Sequence, residues 1–549
     1  MNGADVVKQL SDLKTKRTPL ESHIRECYQY TNPIRGMMFG TGSTTLSADT
    51  VQSQAAAATA KLFDSTGDDA ASTVASALVS NLTPANSRWF GYKSEKSNDE
   101  LNKWLDAACT KVHAEIHASN YDAPGYEGMY DTAIAGQCAL YIEDGKDGAT
   151  YHFELWPLAQ CWVATTTRDG LVDTIFYEFT LTAQQAVKEY GEKNVSEKIT
   201  KIAEKKPHTL FRFVQAIFPR VKDDKGKQPR VKDKVLPFQS MHVELDTKKV
   251  CRNSGYHEFP VVYPRWLKLP GSVYAQGPTS RALPDIKTLN EAKRLTFASA
   301  DMAISGMWGA VDDGVINPKT VRIGARKIVM MSSKDSFFPI TPGGNFDLSM
   351  IIAEDLKKSI RRIMMADLLE TNTEGPAKTA TEWHYRVNLI RQLLGPMFGR
   401  IQNEYLQPMV WRCLWIAYRK GLLGELPQGA QGDNLQLQFQ GPLARAQKLE
   451  EVAAMDRFEQ SLMAQAKGQR DAGEPPTVLD NYDLDESARH RADLLGVPAK
   501  LIVNIKDVQA RRKLREDQAA KAQQAQAMSA MMQQGGQGAV PGAEMGMAA

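Results

Sequence analysis

The amino-acid sequence predicts an α+β fold, mainly helical, with a small antiparallel β-domain set among the helices. Three observations carry that expectation. Apolar residues recur at helical spacing over residues 5–119. Between 138 and 265 the pattern changes to short β-branched and aromatic runs separated by turn chemistry. After Thr279 the helical period returns, breaks into strand-like runs over 308–340, and resumes at Asp347.

Residues 5–31 read as an amphipathic helix through Val6, Leu10, Leu13, Leu20 and Ile24, stopped at Pro33. A Gly/Ser/Thr-rich loop follows over 40–53. A second helix is expected over 59–82, with Leu62, Val74, Leu78 and Leu82 as core positions. Thr83-Pro84 ends it, because the residue before proline avoids the helical region. A third helix runs over 98–119, with Asn98 as N-cap and Asp99 and Glu100 facing the positive end of its dipole.

In the β-rich stretch, CALYIED, YHFELW, CWVATT, DTIFYEF, TLFRFVQAIF and VVYPRW are strand candidates. A helix is expected at Thr182–Tyr190, and the charged segment 222–234 reads as a solvated hairpin tip. Beyond Thr279, Leu283, Ile286, Leu289, Ala292 and Leu295/Phe297 share one helix face. TVRI and KIVMM are strand-like runs within 308–340. The helix over 347–365 repeats Ile351/Ile352, Leu356, Ile360 and Ile363/Met364, with Lys357, Lys358, Arg361 and Arg362 on the opposite face. A loop covers 366–380 and a long helix 380–421, which Pro396 and Pro408 must kink or break and Gly421 ends. Helices are expected over 443–469 and, as a pair parted at 496–498, over 487–525. The Ala/Gln/Met/Gly-rich segment 519–549 is expected to be disordered beyond its first few residues.

Composition narrows the function classes. The chain has 549 residues, 42% hydrophobic and 24% charged, which is an ordinary globular balance. Its 67 basic and 64 acidic residues leave a net charge of +3, so it is no polyelectrolyte that coats nucleic acid. Any contact with DNA must be local or arise from subunit arrangement. Six scattered cysteines without CxxC spacing suggest neither a zinc site nor a redox pair, and read as a reduced intracellular protein. The N-terminus lacks the apolar core of a signal peptide, and no apolar run is long enough to span a membrane.

Catalytic signatures are missing: there is no phosphate-cradling P-loop, no GxSxG, no HExxH and no EF-hand. EDGKDG at Glu143 lacks the later acid of a calcium loop and reads as a turn. His113 and His117 stand at i and i+4, a spacing that can hold a metal, but with no third ligand they read as a solvated helix face. The expectation is therefore no metal, no cofactor and no catalytic residue. The nine tryptophans are spread out, and the aromatics near Trp156 and Phe176 alternate as core residues do. The basic face Lys357, Lys358, Arg361 and Arg362 is the main charge cluster, with Glu354 placed to pair with Lys358. If subunits formed a ring, an inward-facing charge would repeat at every subunit, and nucleic acid passing through would meet it by sequence-independent phosphate contacts.

Three segments then carry a resemblance. They are SNLTPANSRWF from Ser80, YAQGPTSRALPDIKTLNEAKRLT from Tyr274, and KTATEWHYRVNLIRQLLGPMFGRIQNEYLQPMVWR from Lys378. In this order the chain resembles, over roughly residues 5–515, the head-to-tail connecting (portal) proteins of short-tailed double-stranded-DNA bacteriophages. The resemblance implies a portal fold and a dodecameric ring at one capsid vertex, without catalysis of its own. It implies double-stranded DNA passing through the channel, a terminase packaging motor, major capsid and scaffold proteins and a tail adaptor as partners. No membrane is implied; the place is the virion, after assembly in the host cytoplasm. Carried over, 1–275 looks like the wing, 276–300 and 345–366 like two stem helices, and 301–344 like the clip between them. Residues 367–379 take the place of the channel (tunnel) loop, 380–439 of the wing return, 440–518 of the crown and 519–549 of a low-complexity tail. In that frame Lys357, Lys358, Arg361, Arg362, Glu370, Glu374 and Lys378 are candidates for the DNA channel or the subunit interface. The alternative reading is another phage structural, adaptor or scaffold-associated protein without a DNA channel. An enzyme acting on nucleic acid would need clustered acids or a phosphate loop, and the sequence shows neither.

Overall fold

The structure is a computed structural model. It describes residues 2–39, 54, 56–94, 99–146, 148–168, 170–220, 230–231, 234–305, 307–310, 337–340, 346–369, 399–427, 435–439, 442–473, 475–495, 497, 501–503 and 505–535. Helices and antiparallel sheets make up both of its units, so the class is α+β. One unit comprises Met1–Trp89 and Thr110–Gly424, the other Phe90–Cys109 and Glu425–Ala549.

In the first unit the opening helix runs over Gly3–Gln29. Asn2 caps it reciprocally with Asp5, satisfying two of the amide groups a helix start leaves unpaired. Val6, Leu10 and Ile24 are buried. The helix ends at Gln29, ahead of Pro33, and Pro33 begins a separate short turn, Pro33–Gly36, because proline suits a first helical position. The next long helix is Thr66–Leu82, so Leu62 lies before it and not on its core face.

The β-domain is built on a five-stranded antiparallel sheet. Its spatial order is Val250–Tyr256, Phe238–Glu244, Leu210–Pro219, Thr174–Thr182 and Cys161–Ala164. The two strands from 238 to 256 were not among the candidate runs, since Gln, Ser, His, Arg and Asn dilute their apolar pattern. Alternation sends side chains to two faces. On one face Val6 and Leu10 of the opening helix pack on Trp162, Phe176, Val214, Ala216 and Met241. Trp162, Phe176, Ala216 and Met241 are direct partners in successive strand pairs, so one row of the ladder forms that core. On the other face lie helix Ala183–Tyr190, capped by Thr182 and Gln185, and helix Glu197–Lys205, with Phe211, Phe213 and Cys251 beneath them. A smaller sheet orders Val261–Val262, Ala139–Asp144 and Tyr151–Trp156. Trp156 is fully buried and stacks on Tyr141 and Tyr177 at 4.6 and 4.3 Å.

The motif at Tyr274 has a structural reason. Helix Asp122–Ala135 ends at Gly136 with φ of +80°. A Cβ there would sit 2.4 Å from the Gln276 carbonyl carbon, and one on Gly277 would sit 2.7 Å from the Gly136 amide nitrogen. The two backbones approach so closely that only glycine fits at either place. Thr279 Oγ1 donates to the Ala133 carbonyl at 3.0 Å, and Gln137 Oε1 accepts from the Ala275 amide at 3.0 Å. This junction fixes the direction in which helix Pro278–Ser305 leaves.

Farther on, Gln402–Leu406 is a π-turn, followed by helix Gln407–Arg419. Pro408 has no amide proton to donate back to Glu404, and the wide turn absorbs that loss. Glu404 points inward and holds Arg265 through two bonds of 2.9 and 2.7 Å, both side chains being buried. Gly421, with φ of +75°, follows the helix end.

In the second unit, Phe90–Ser94 pairs antiparallel with Leu435–Phe439. Helix Pro442–Asp471 packs on Leu484–Leu495. Glu459 accepts from Tyr482 Oη at 3.1 Å and Ser487 Oγ at 2.5 Å, and pairs with Arg491. The last helix, Ile505–Gly535, is tied to its neighbour by Arg512 and Asp485 at 2.7 Å. It runs well into the segment expected to be disordered, because alanine, glutamine and methionine are strong helix formers even where they bury nothing.

Candidate subunit and DNA interface

The candidate basic cluster lies on helix Phe346–Ile363, which packs against helix Pro278–Ser305. Strands Met307–Ala310 and Phe337–Ile340 pair antiparallel, so the chain leaves the first helix and returns to the second across a closed two-stranded ladder. Ser359 Oγ donates to Asp285 at 2.7 Å between the helices. Ile360, Met364, Ile286 and Leu289 are buried.

The four basic residues divide into two kinds. Lys357 bonds Glu354 at 3.0 Å, and this hydrogen bond lowers the Glu354 carboxyl below its usual range. The expected partner Lys358 is not the one chosen; the i,i+3 neighbour reaches first. Arg361 bridges Asp69 at 2.6 Å and Asp367 at 2.9 Å, which ties this helix to Thr66–Leu82. Its role within the subunit is that of a clasp. Lys358 and Arg362, one turn apart, are exposed. Glu370, Glu374 and Lys378 lie outside the described residues.

The apolar pattern splits likewise. Leu283, Ile286 and Leu289 are core, but Leu295 and Phe297 are 51% and 54% exposed. Ile351 and Ile352, the first apolar pair of the helical repeat, are 67% and 46% exposed. Helical spacing shows that such residues share a face; it does not show whether that face has a partner in the same chain.

All six cysteines are free and buried, and burial raises the thiol pKa of Cys138, Cys161 and Cys413, pushing Cys251 up to about 11 and Cys27 to about 12. Among the described residues no helix is long and apolar enough to cross a membrane.

The helix pair leaves apolar and basic side chains exposed, and comparison with known proteins gives the family. Residues 4–503 match the family model for the bacteriophage head to tail connecting protein, and the chain belongs to that family. It is 27% identical to the probable portal protein of Bordetella phage BPP-1 over 95% of this chain and 92% of that one. It is 28% identical to the portal protein of Salmonella phage epsilon15, over 97% and 94% respectively. Among solved structures it is similar to a chain in the virion of a native gene transfer agent particle, at 14% identity and a TM-score of 0.35, covering 75% of this chain and 90% of that one. A chain of that particle's neck, computed with C12 symmetry, matches at 13% identity and a TM-score of 0.35, covering 77% and 93%.

Proposed function

We propose that this chain closes into a dodecameric ring at one capsid vertex and serves there as the conduit for DNA packaging and ejection. The observation that carries this reading is the family match over nearly the whole chain. The helix–ladder–helix segment supports it, because its exposed Leu295, Phe297, Ile351 and Ile352 need apolar cover that a neighbouring subunit would supply. Residues 301–344 would be the clip that docks the terminase and then the tail adaptor. Residues 367–379 would be the channel loop and 440–518 the crown. Major capsid and scaffold proteins would surround the ring in the host cytoplasm, and the ring would stay in the virion. The chain would perform no catalysis.

Lys358 and Arg362 are then the charges left for DNA or a neighbouring subunit, with Glu370, Glu374 and Lys378 as candidates in the loop. Lys357 and Arg361 would act by holding the helix in place. Few strong phosphate contacts suit a conduit, since DNA that must slide should not be held tightly.

Electron microscopy with light scattering tests the reading. Rings with a central hole, at about twelve times the 60.9 kDa chain mass, are expected. Chains that stay monomeric even with capsid and scaffold proteins present would overturn it.

A further inference from the structure

Two motifs close to metal-binding patterns find partners of other kinds. His117 is no part of a solvated face: its side chain is only 10% exposed and pairs with Asp122 at 2.7 Å. The turn EDGKDG at Glu143 lacks the later acid of a calcium loop, yet it receives a cation. We propose that this turn is a carbonyl cradle for a primary ammonium group, and that Lys420 is the ligand it holds.

The turn joins strands Ala139–Asp144 and Tyr151–Trp156, which pair antiparallel. Two backbone bonds fold it: the Gly145 amide donates to the Thr150 carbonyl and the Ala149 amide to the Lys146 carbonyl, both at 3.1 Å. Gly148 has φ of +91°, a conformation that side chains rarely allow. With the backbone curled in this way, the carbonyls of Gly145, Ala149 and Thr150 converge on one atom. Lys420 Nζ donates to all three, at 3.1, 3.1 and 2.8 Å.

The match is one of number and size. An ammonium has three N–H donors and no acceptor, and three carbonyls satisfy it. The distances are those of N–H···O bonds. Calcium draws its oxygens in to about 2.3–2.6 Å and magnesium to about 2.0–2.1 Å, so the cradle is too wide for either. Arg419, the preceding residue, takes the Glu258 carboxylate at 2.6 Å, while Lys420 takes carbonyls.

The location gives the cradle a role. Lys420 is the C-cap of helix Gln407–Arg419. Gly421 and Gly424 follow with φ of +75° and +73°, and the first unit ends at Gly424. In the same stretch Lys111 Nζ donates to the Leu422 carbonyl at 3.2 Å. Lys420 thus fastens the end of this helix to a hairpin 270 residues earlier, and fixes the point from which the chain leaves the first unit.

The test is hydrogen-exchange mass spectrometry of the full-length protein and of Lys420→Ala, with the chlorides of methylammonium, tetramethylammonium and calcium as probes. Loss of the charged bonds should speed exchange in peptides covering 143–151 and 417–424 by about 10–100-fold. Methylammonium should restore protection in a saturable way, because it returns three N–H donors to the cradle. Tetramethylammonium, which has none, should not, and the wild type should respond to neither. Exchange in strand Leu210–Pro219 should not change and reports that the fold is intact. Should it change, Lys420→Met, which keeps the apolar stem, is read in its place. Unchanged exchange in the variant, no restoration by methylammonium, or equal restoration by tetramethylammonium would overturn the cradle. Restoration by calcium in preference to methylammonium would overturn its ligand class.

Discussion

The five-stranded sheet and the helix pair Pro278–Ser305 and Phe346–Ile363 follow the same patterning rule but meet different ends. In the sheet, alternating side chains find cover on both faces: the opening helix covers Phe176 and Val214, and two short helices cover Phe211 and Phe213. In the helix pair, the inner turns are covered and the outer ones are not, as the exposure of Phe297 and Ile351 shows. The helix pair, unlike the sheet, leaves large apolar side chains exposed.

Breaking each region should therefore fail differently. The largest loss belongs near the sheet, at the buried Arg265–Glu404 pair. Arg265→Ala leaves the buried Glu404 carboxylate with the more distant Arg400, at 4.0 Å, as its remaining ion-pair partner and should cost about 3–5 kcal/mol in denaturant unfolding. A loss under about 1 kcal/mol would mean water reaches Glu404.

Acid should act next. Burial, followed by the charge of Arg252, lowers His242 to about 3, and its ring nitrogen is 3.0 Å from Tyr190 Oη. The folded state binds this proton less well than the unfolded state does. The unfolded chain therefore takes it up first as pH falls below about 6.5, and stability drops by about 1.4 kcal/mol per pH unit until the folded pKa near 3 is reached. His242→Gln should flatten that limb of the stability–pH curve; an unchanged slope would assign it to other groups.

Thr182→Ala removes the cap of helix Ala183–Tyr190 and should cost about 1 kcal/mol, read as a shifted unfolding midpoint at constant m. The helix pair sharpens the contrast. Phe297→Ser with Ile351→Ser should change single-chain stability by no more than about 0.5 kcal/mol, yet reduce ring formation in sedimentation. Lys358→Glu with Arg362→Glu should likewise leave unfolding nearly unchanged while impairing assembly or DNA retention. Normal rings and normal packaging in that double variant would remove these two charges from both roles.

Much of this was legible in the residues. Val74, Leu78 and Leu82 had helical period and are buried; CWVATT and DTIFYEF read as strands and pair through Trp162 and Phe176. Strands 238–244 and 250–256 were missed because they owe their state to ladder partners more than to composition. Arg17 was missed as a buried residue: it lies between Phe39 and Trp162 and donates to the Cys161 carbonyl, and nothing in its sequence neighbourhood marks that. The charge cluster was found, but its division into clasp and exposed pair needed the positions of Asp69 and Asp367.

By itself the sequence determined the periodicities, the turn chemistry, the scarcity of catalytic motifs and the family, because these depend on neighbours a few residues apart or on order along the chain. Only the tertiary structure decided which apolar faces are covered, which lysine Glu354 takes, why Gly136 and Gly277 must both be glycine, and that Asp122 holds His117 in place. Each of these is a contact whose partner is chosen by distance in space, and for residues such as Arg361 and Asp69 or Arg265 and Glu404 the intervening chain carries no local trace of the pairing.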